Sequence, residues 1–169
     1  MGMEKRYELD EITRISAVSM GVPGQRTFFL ILGQPGEWIR AWLEKELLEA
    51  LALATDQFLA SLAREGLYFP PETEPETEPD DVPAGLPSIE LEIDQIALGY
   101  EREMAKLELA VHVLGPETED RSELSFRLTL ARLKKLGVQA GKICAAGRPR
   151  CLLCGGPIDP EGHICPKSN

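Results

Sequence analysis

Two spacings of apolar residues alternate along this chain, and the alternation happens twice. In residues 7–43 the spacing is that of strands. Ile12 to Met20 reads as a first strand, and Gly21-Val-Pro-Gly24 turns the chain. Arg26 to Leu32 is a second strand, apolar on both faces as expected inside a sheet. Gly33-Gln-Pro-Gly36 makes another turn, and Glu37 to Glu44 is a third strand. From Leu43 the spacing changes to fours and threes. Leu43, Leu47, Leu51, Phe58 and Leu62, with Leu48 and Leu59 beside them, form one broad face of a long helix that ends at Gly66.

The pattern then stops and restarts. Residues 70–88 open with Pro70-Pro-Glu-Thr-Glu-Pro-Glu-Thr-Glu-Pro-Asp-Asp-Val-Pro83, which is acidic, contains no basic residue and cannot bury a core. This composition predicts an extended linker, with docking of a basic partner as the alternative. Beyond it, Ile89 to Tyr100 begins in clean alternation. Lys106 to Leu114 sets Leu107, Leu109, Val111 and Val113 on one face, and Leu124, Phe126 and Leu128 mark a third strand. Thr129 is placed to cap a helix with the stripe Leu133, Leu136, Ala140 and Ile143, ending near Gly147.

Each half therefore reads strand-strand-strand-helix, and residues correspond between them. Ile12 and Ile15 match Ile93 and Ile96. Phe29, Ile31, Leu32 and Gly33 match Val111, Val113, Leu114 and Gly115, while Ile39 and Arg40 match Phe126 and Arg127. The three-residue step between the paired isoleucines switches faces in a strand and predicts a bulge in each copy. The expected class is α+β, with two β-β-β-α repeats forming an antiparallel sheet, helices packed on it, and a C-terminal zinc knuckle. The expected divisions are a first repeat over 1–69, the linker over 70–88, a second repeat over 89–147 and the tail over 148–169.

Charge narrows the function classes. The chain has 169 residues and a formal net charge of −10. From residue 140 onward, Lys142, Arg148, Arg150 and Lys167 against Asp159 and Glu161 leave +2, so the rest carries −12. A body that acidic repels phosphate backbones, which argues against nucleic acid except through the tail. The opening residues have no apolar signal region, no apolar run approaches the roughly 18 residues of a membrane span, and Arg6 stands where a myristoylation motif needs Ser or Thr. A cytoplasmic protein without membrane attachment is expected, where cysteines stay reduced.

The chemistry concentrates in the tail. Cys151-Leu-Leu-Cys154-Gly-Gly-Pro-Ile-Asp-Pro-Glu-Gly-His163-Ile-Cys165 is a C-x2-C pair followed by H-x-C. Cys151, Cys154, His163 and Cys165 suit tetrahedral zinc. Gly155-Gly156 lets the backbone curl around an ion, and His163 and Cys165, two apart, point the same way on an extended segment. So short a tail cannot hold itself by apolar burial, whereas structural zinc contributes on the order of 10 kcal/mol. Four ligands leave no open position, so the metal would be structural. A Cys151–Cys154 redox pair, disulfides and coincidental cysteines are the alternatives. Rubredoxin-like iron would need a fourth thiolate in place of His163. Cys144 reads as a small buried residue rather than a further ligand.

Other candidates carry less. His112 lies on the same strand as Glu108, with no base or nucleophile matched to it in the sequence. The two Gly-Pro-Gly-type turns lack the pattern of a phosphate loop. Arg26 and Thr27 either form a small polar site or support the turn. Trp38 and Trp42, with Arg40 between, form either an interaction patch or core packing.

Gly21-Val-Pro-Gly-Gln-Arg-Thr-Phe-Phe-Leu30, Leu43-Glu-Lys-Glu46 and the block Ala145 to Pro166 resemble the DUF3090 family of bacterial proteins of unknown function. The resemblance covers nearly the whole chain apart from the acidic linker, and Tyr7 to Ser16 fits it least well. It implies this order of elements, the tail cluster and a bacterial cytoplasm, and it brings no catalytic residues. The functional expectation is a non-enzymatic interaction or adaptor protein with structural zinc and a protein partner. The alternatives are an enzyme with a pocket between the repeats, using Arg26, Arg127 or His112, and a weak nucleic-acid contact through Arg148, Arg150 and Lys167. The oligomeric state is not legible at this level.

Overall fold

A computed structural model describes residues 5–22, 24–34, 36–73, 82–103, 106–114, 122–146, 152–154 and 164–167. Seven strands and two long helices follow in the order β1 (Lys5–Glu11), β2 (Arg14–Met20), β3 (Thr27–Gln34), β4 (Glu37–Leu43), α1 (Lys45–Arg64), β5 (Ile89–Glu101), β6 (Lys106–Leu114), β7 (Ser122–Leu128) and α2 (Leu130–Ala145). The class is α+β. Among the described residues, no helix is long and apolar enough to cross a membrane.

All seven strands join one sheet in the order β1-β7-β6-β5-β4-β3-β2. The expected antiparallel sheet is corrected to a mixed one. β2-β3-β4 and β5-β6-β7 are antiparallel within themselves, but β4 pairs β5 in parallel and β1 pairs β7 in parallel. Helix α1 and the segment after it form a crossover between β4 and β5, which lets β5 run in the same direction as β4. Strand β1 was not expected. Its sequence, Lys-Arg-Tyr-Glu-Leu-Asp-Glu, is too charged to advertise a strand, and it forms one edge.

That edge strand reshapes the sheet. β1 and β2 occupy opposite edges, yet only Ile12 and Thr13 separate them. A flat sheet would put edges six spacings apart at about 29 Å, while three Cα steps reach about 11 Å at most. The sheet must therefore curl until its edges meet. The connecting residues bond to both sides: the Ile12 N–H donates to the Arg127 carbonyl and the Thr13 N–H to the Gly33 carbonyl, each at 3.0 Å.

One face of the curled sheet forms the main core. Ile12, Ile15, Phe28, Leu30, Leu32, Ile93, Leu109, Val111 and Phe126 meet Leu48, Leu51, Leu59, Leu133 and Leu136 of the helices. Thr129 caps α2 as expected, its hydroxyl accepting from the Arg132 N–H at 3.2 Å. The opposite face of β3 and β4 carries a second cluster of Phe29, Ile31 and Trp38, with Val18 and Trp42 against it. The doubly apolar reading of β3 is therefore correct. The match of Phe29 and Ile31 to Val111 and Val113 is not, because the first pair faces the second cluster and the latter pair the main core. A one-residue slip in a strand exchanges its faces, and a strand apolar on both faces hides its phase.

Candidate functional site

The end of α2 is tied to the first half of the sheet. Arg26, on the turn between β2 and β3, donates from Nη1 to the Ile143 carbonyl at 3.1 Å. This satisfies one of the carbonyls a helix leaves open at its C-terminus. Its guanidinium also lies 5.2 Å from the centre of the Phe28 ring. Arg26 thus holds the end of α2 in place.

Cys144 is the last residue but one of α2, half-buried and outside any disulfide. Burial pushes its thiol up from the ordinary 9.0, and the Glu49 carboxylate pushes the same way, against Lys45 and Arg26. A thiol kept protonated is a poor metal ligand and a poor nucleophile. Packing against the main core is the role its position supports.

Of the four expected zinc ligands, Cys154 and Cys165 are described and half-buried. Cys151 and His163 lie outside the described residues. Among the described residues, no group of three or more His, Cys, Asp or Glu side chains gathers as a metal site. What the tail does display is an inverted burial. Leu152, Leu153 and Ile164 are 102%, 60% and 96% exposed, while the neighbouring residues Cys154 and Cys165 are half-buried. Aliphatic side chains this exposed beside half-covered cysteines show that the described part of the tail does not pack around an apolar core.

Beside the end of α2 runs a groove of about 1230 Å³, lined by Arg26, Phe28, Trp42 and Lys45 from the first half and by Glu92 and Asp94 from the second. The start of α1 borders it, and the cap residue Glu44 makes no side-chain hydrogen bond there. Five carboxylates (Glu44, Glu46, Glu49, Glu92, Asp94) face two cations (Arg26, Lys45), so the lining carries −3. Through Leu47 and Ala50 the groove continues into a trough of about 460 Å³ between α1 and β5, where Leu51, Ala54, Phe58, Ile96 and Leu98 leave Gln57 as the lone polar lining side chain.

At the edge of this groove the bulge expected in the second half is present, whereas in the first half the step from Ile12 to Ile15 falls at the link between β1 and β2 and the β2–β3 register is unbroken. The register of β5 against β6 shifts between Ile93 and Gln95, leaving Asp94 as the extra residue. Its Oδ1 stands 2.5 Å from Nδ1 of His112. The Nε2 atom of His112 is buried, with no hydrogen-bond partner among the described residues. No residue spacing points to this pairing beyond the isoleucine step. Arg127 does not line the groove; it lies opposite Glu108 of β6 and Glu11 of β1.

The aromatic pair resolves as packing. The Arg40 guanidinium lies 5.0, 5.2 and 5.4 Å from the rings of Phe29, Trp38 and Trp42, and Nη1 bonds Glu90 at 2.9 Å. Arg40 thereby covers the second cluster as an aromatic-stacked cation tied to the other half of the sheet.

A family model described as a protein of unknown function (DUF3090) matches residues 7–165. No curated protein and no solved structure matches the chain at a significant level.

Proposed function

The chain belongs to the DUF3090 family, and we propose that it is a non-enzymatic interaction protein of the bacterial cytoplasm whose tail is stapled by structural zinc. Cys151, Cys154, His163 and Cys165 would hold the ion. Support comes from the inverted burial of the tail, where Cys154 and Cys165 are half-buried beside exposed Leu152, Leu153 and Ile164. Apolar burial cannot organise such a segment, and three thiolates with one imidazole can. When bound, zinc supplies a rigid fold and no reactive position, since the chain fills all four sites. The exposed aliphatic side chains would then be the recognition surface.

The test is metal content in protein purified without chelator, for wild type and Cys154→Ser. One zinc per chain in wild type and a loss in the variant support the reading; near-zero content in both overturns it. Partner capture with and without residues 147–169 tests the recognition role. Partners that survive the deletion unchanged would sink it.

We also read β2-β3-β4-α1 and β5-β6-β7-α2 as an internal duplication. With one offset of 81 residues (93 less 12), Ile12, Ile15, Phe28, Leu30 and Leu32 fall on Ile93, Ile96, Leu109, Val111 and Val113, all facing the same core. Superposing the units tests this, and a best fit at another offset in these strands would contradict it.

A second reading, an enzyme using the groove between the halves, is favoured by the Asp94–His112 contact at its edge. An aspartate on one imidazole nitrogen orients the ring, and acid or base work at the other, which is buried, would need the groove wall to open onto it. A thermal-shift screen of small metabolites checks it: a ligand lost in His112→Ala supports an enzyme, and no binder to wild type counts against one.

A further inference from the structure

We infer that the tail of each chain seats Leu152, Leu153 and Ile164 in the apolar trough between α1 and β5 of a second copy, making a tail-exchanged dimer. The inference rests on the zinc-stapled tail proposed above and names its partner. Three observations lead to it.

The first is the exposure of those side chains. Leu152 at 102% and Ile164 at 96% make almost no contact within their own chain, so its own trough does not hold them. Aliphatic groups left in water on a short segment are a strong drive to associate. The second is an unfilled surface of matching chemistry. The trough is lined by Leu47, Ala54, Phe58, Ile96 and Leu98, its volume of about 460 Å³ has room for several aliphatic side chains, and Ala54 at its rim is exposed.

The third is charge, in the right order along the chain. The trough opens into the groove whose lining carries −3. The leucine pair is preceded by Arg148-Pro149-Arg150. A tail entering from the start of α1 would lay its arginines along the carboxylates and its leucines in the trough. Opposite charges on the two surfaces steer such an encounter and set its direction. Because every chain offers both a tail and a trough, the two contacts form together about a two-fold axis, as in other exchanged dimers. Closing the second contact is intramolecular, so two modest contacts give one firm assembly.

The experiment is analytical ultracentrifugation of the full zinc-loaded chain, with zinc measured on the same samples. The wild type is expected at twice its 18.7 kDa. Leu152→Asp with Leu153→Asp on the tail, or Ala54→Arg on the exposed rim of the trough, should each weaken the dimer about a hundredfold or more, with zinc still bound and the circular dichroism unchanged. Mixing the two variants should restore a weaker heterodimer through the one intact contact. A zinc-loaded wild type that stays monomeric, or a dimer indifferent to both variants, overturns the exchange while leaving the zinc reading intact. A zinc-free dimer sensitive to both variants keeps the exchange and overturns the staple.

Discussion

Gly137 of α2 rests directly on Thr55 of α1: a Cβ at position 137 would stand 2.6 Å from the Thr55 Cγ2 atom. Both residues are buried. The two helices approach this closely because one of them has no side chain at the crossing.

Gly137→Ala should therefore destabilise the fold, although alanine is the better helix former. Overpacking costs about 1–3 kcal/mol, against roughly 1 kcal/mol gained in helix propensity. A net loss of about 1–2 kcal/mol in urea unfolding is expected. Thr55→Ala in the same chain should recover most of it, because it removes the clashing methyl and a buried hydroxyl with no partner among the described residues. If the double variant is no more stable than Gly137→Ala alone, the crossing is not the cause.

Gln139 is a second tie between distant parts. Its Oε1 accepts the backbone N–H of Ala17 at 2.8 Å, joining α2 to the β2 edge across 122 residues. Gln139→Leu would leave that buried N–H unanswered, at a cost of about 1–3 kcal/mol. Hydrogen exchange at the Ala17 amide should quicken more than at Leu30 in the paired strand. Equal acceleration at both would mean general destabilisation.

Cys144 gives a pH dependence with a definite sign. Burial first, then Glu49, raises its thiol above the ordinary 9.0. The folded state thus favours the protonated thiol. The stability this contributes is full below pH 9 and is lost as pH rises through the raised folded value. Iodoacetamide should alkylate Cys144 more slowly at pH 8 than the same thiol in urea-unfolded chain. Cys144→Ser should remove that part of the alkaline loss of stability. Alkylation as fast in the folded chain as in the unfolded one would contradict the burial argument.

The proposed staple has a pH response of the opposite sense. Its thiolates and imidazole must be deprotonated to hold zinc, so acid should release the metal. Titration from pH 7 toward pH 4 with a zinc-sensitive dye should show loss of the ion before unfolding of the sheet, because the body has its own core. Metal retained at pH 4 would argue against this donor set.

Much of the architecture was legible in the side-chain pattern because it depends on local spacing. The long helix over Lys45–Arg64, the alternation of β6 and the cap at Thr129 each follow from neighbours within a few residues. Asp94 is the informative middle case. The step from Ile93 to Ile96 announced an irregularity, and only the pairing of β5 with β6 showed that it turns a carboxylate onto His112. The four candidate zinc ligands rest on spacing alone, since a metal site in a short segment would be written locally.

By itself the sequence determined the order of elements from β2 onward and most of their apolar faces, and it singled out the candidate metal ligands, all from short-range spacing. The fold of the whole sheet was decided only in three dimensions. That β1 pairs β7 in parallel, that Ile12 and Thr13 close the edges, and that Gly137 meets Thr55 are contacts between residues far apart in the chain. No local spacing encodes which edge a charged strand will join. That choice is made by the unpaired N–H and C=O groups left when all the other strands have found their places.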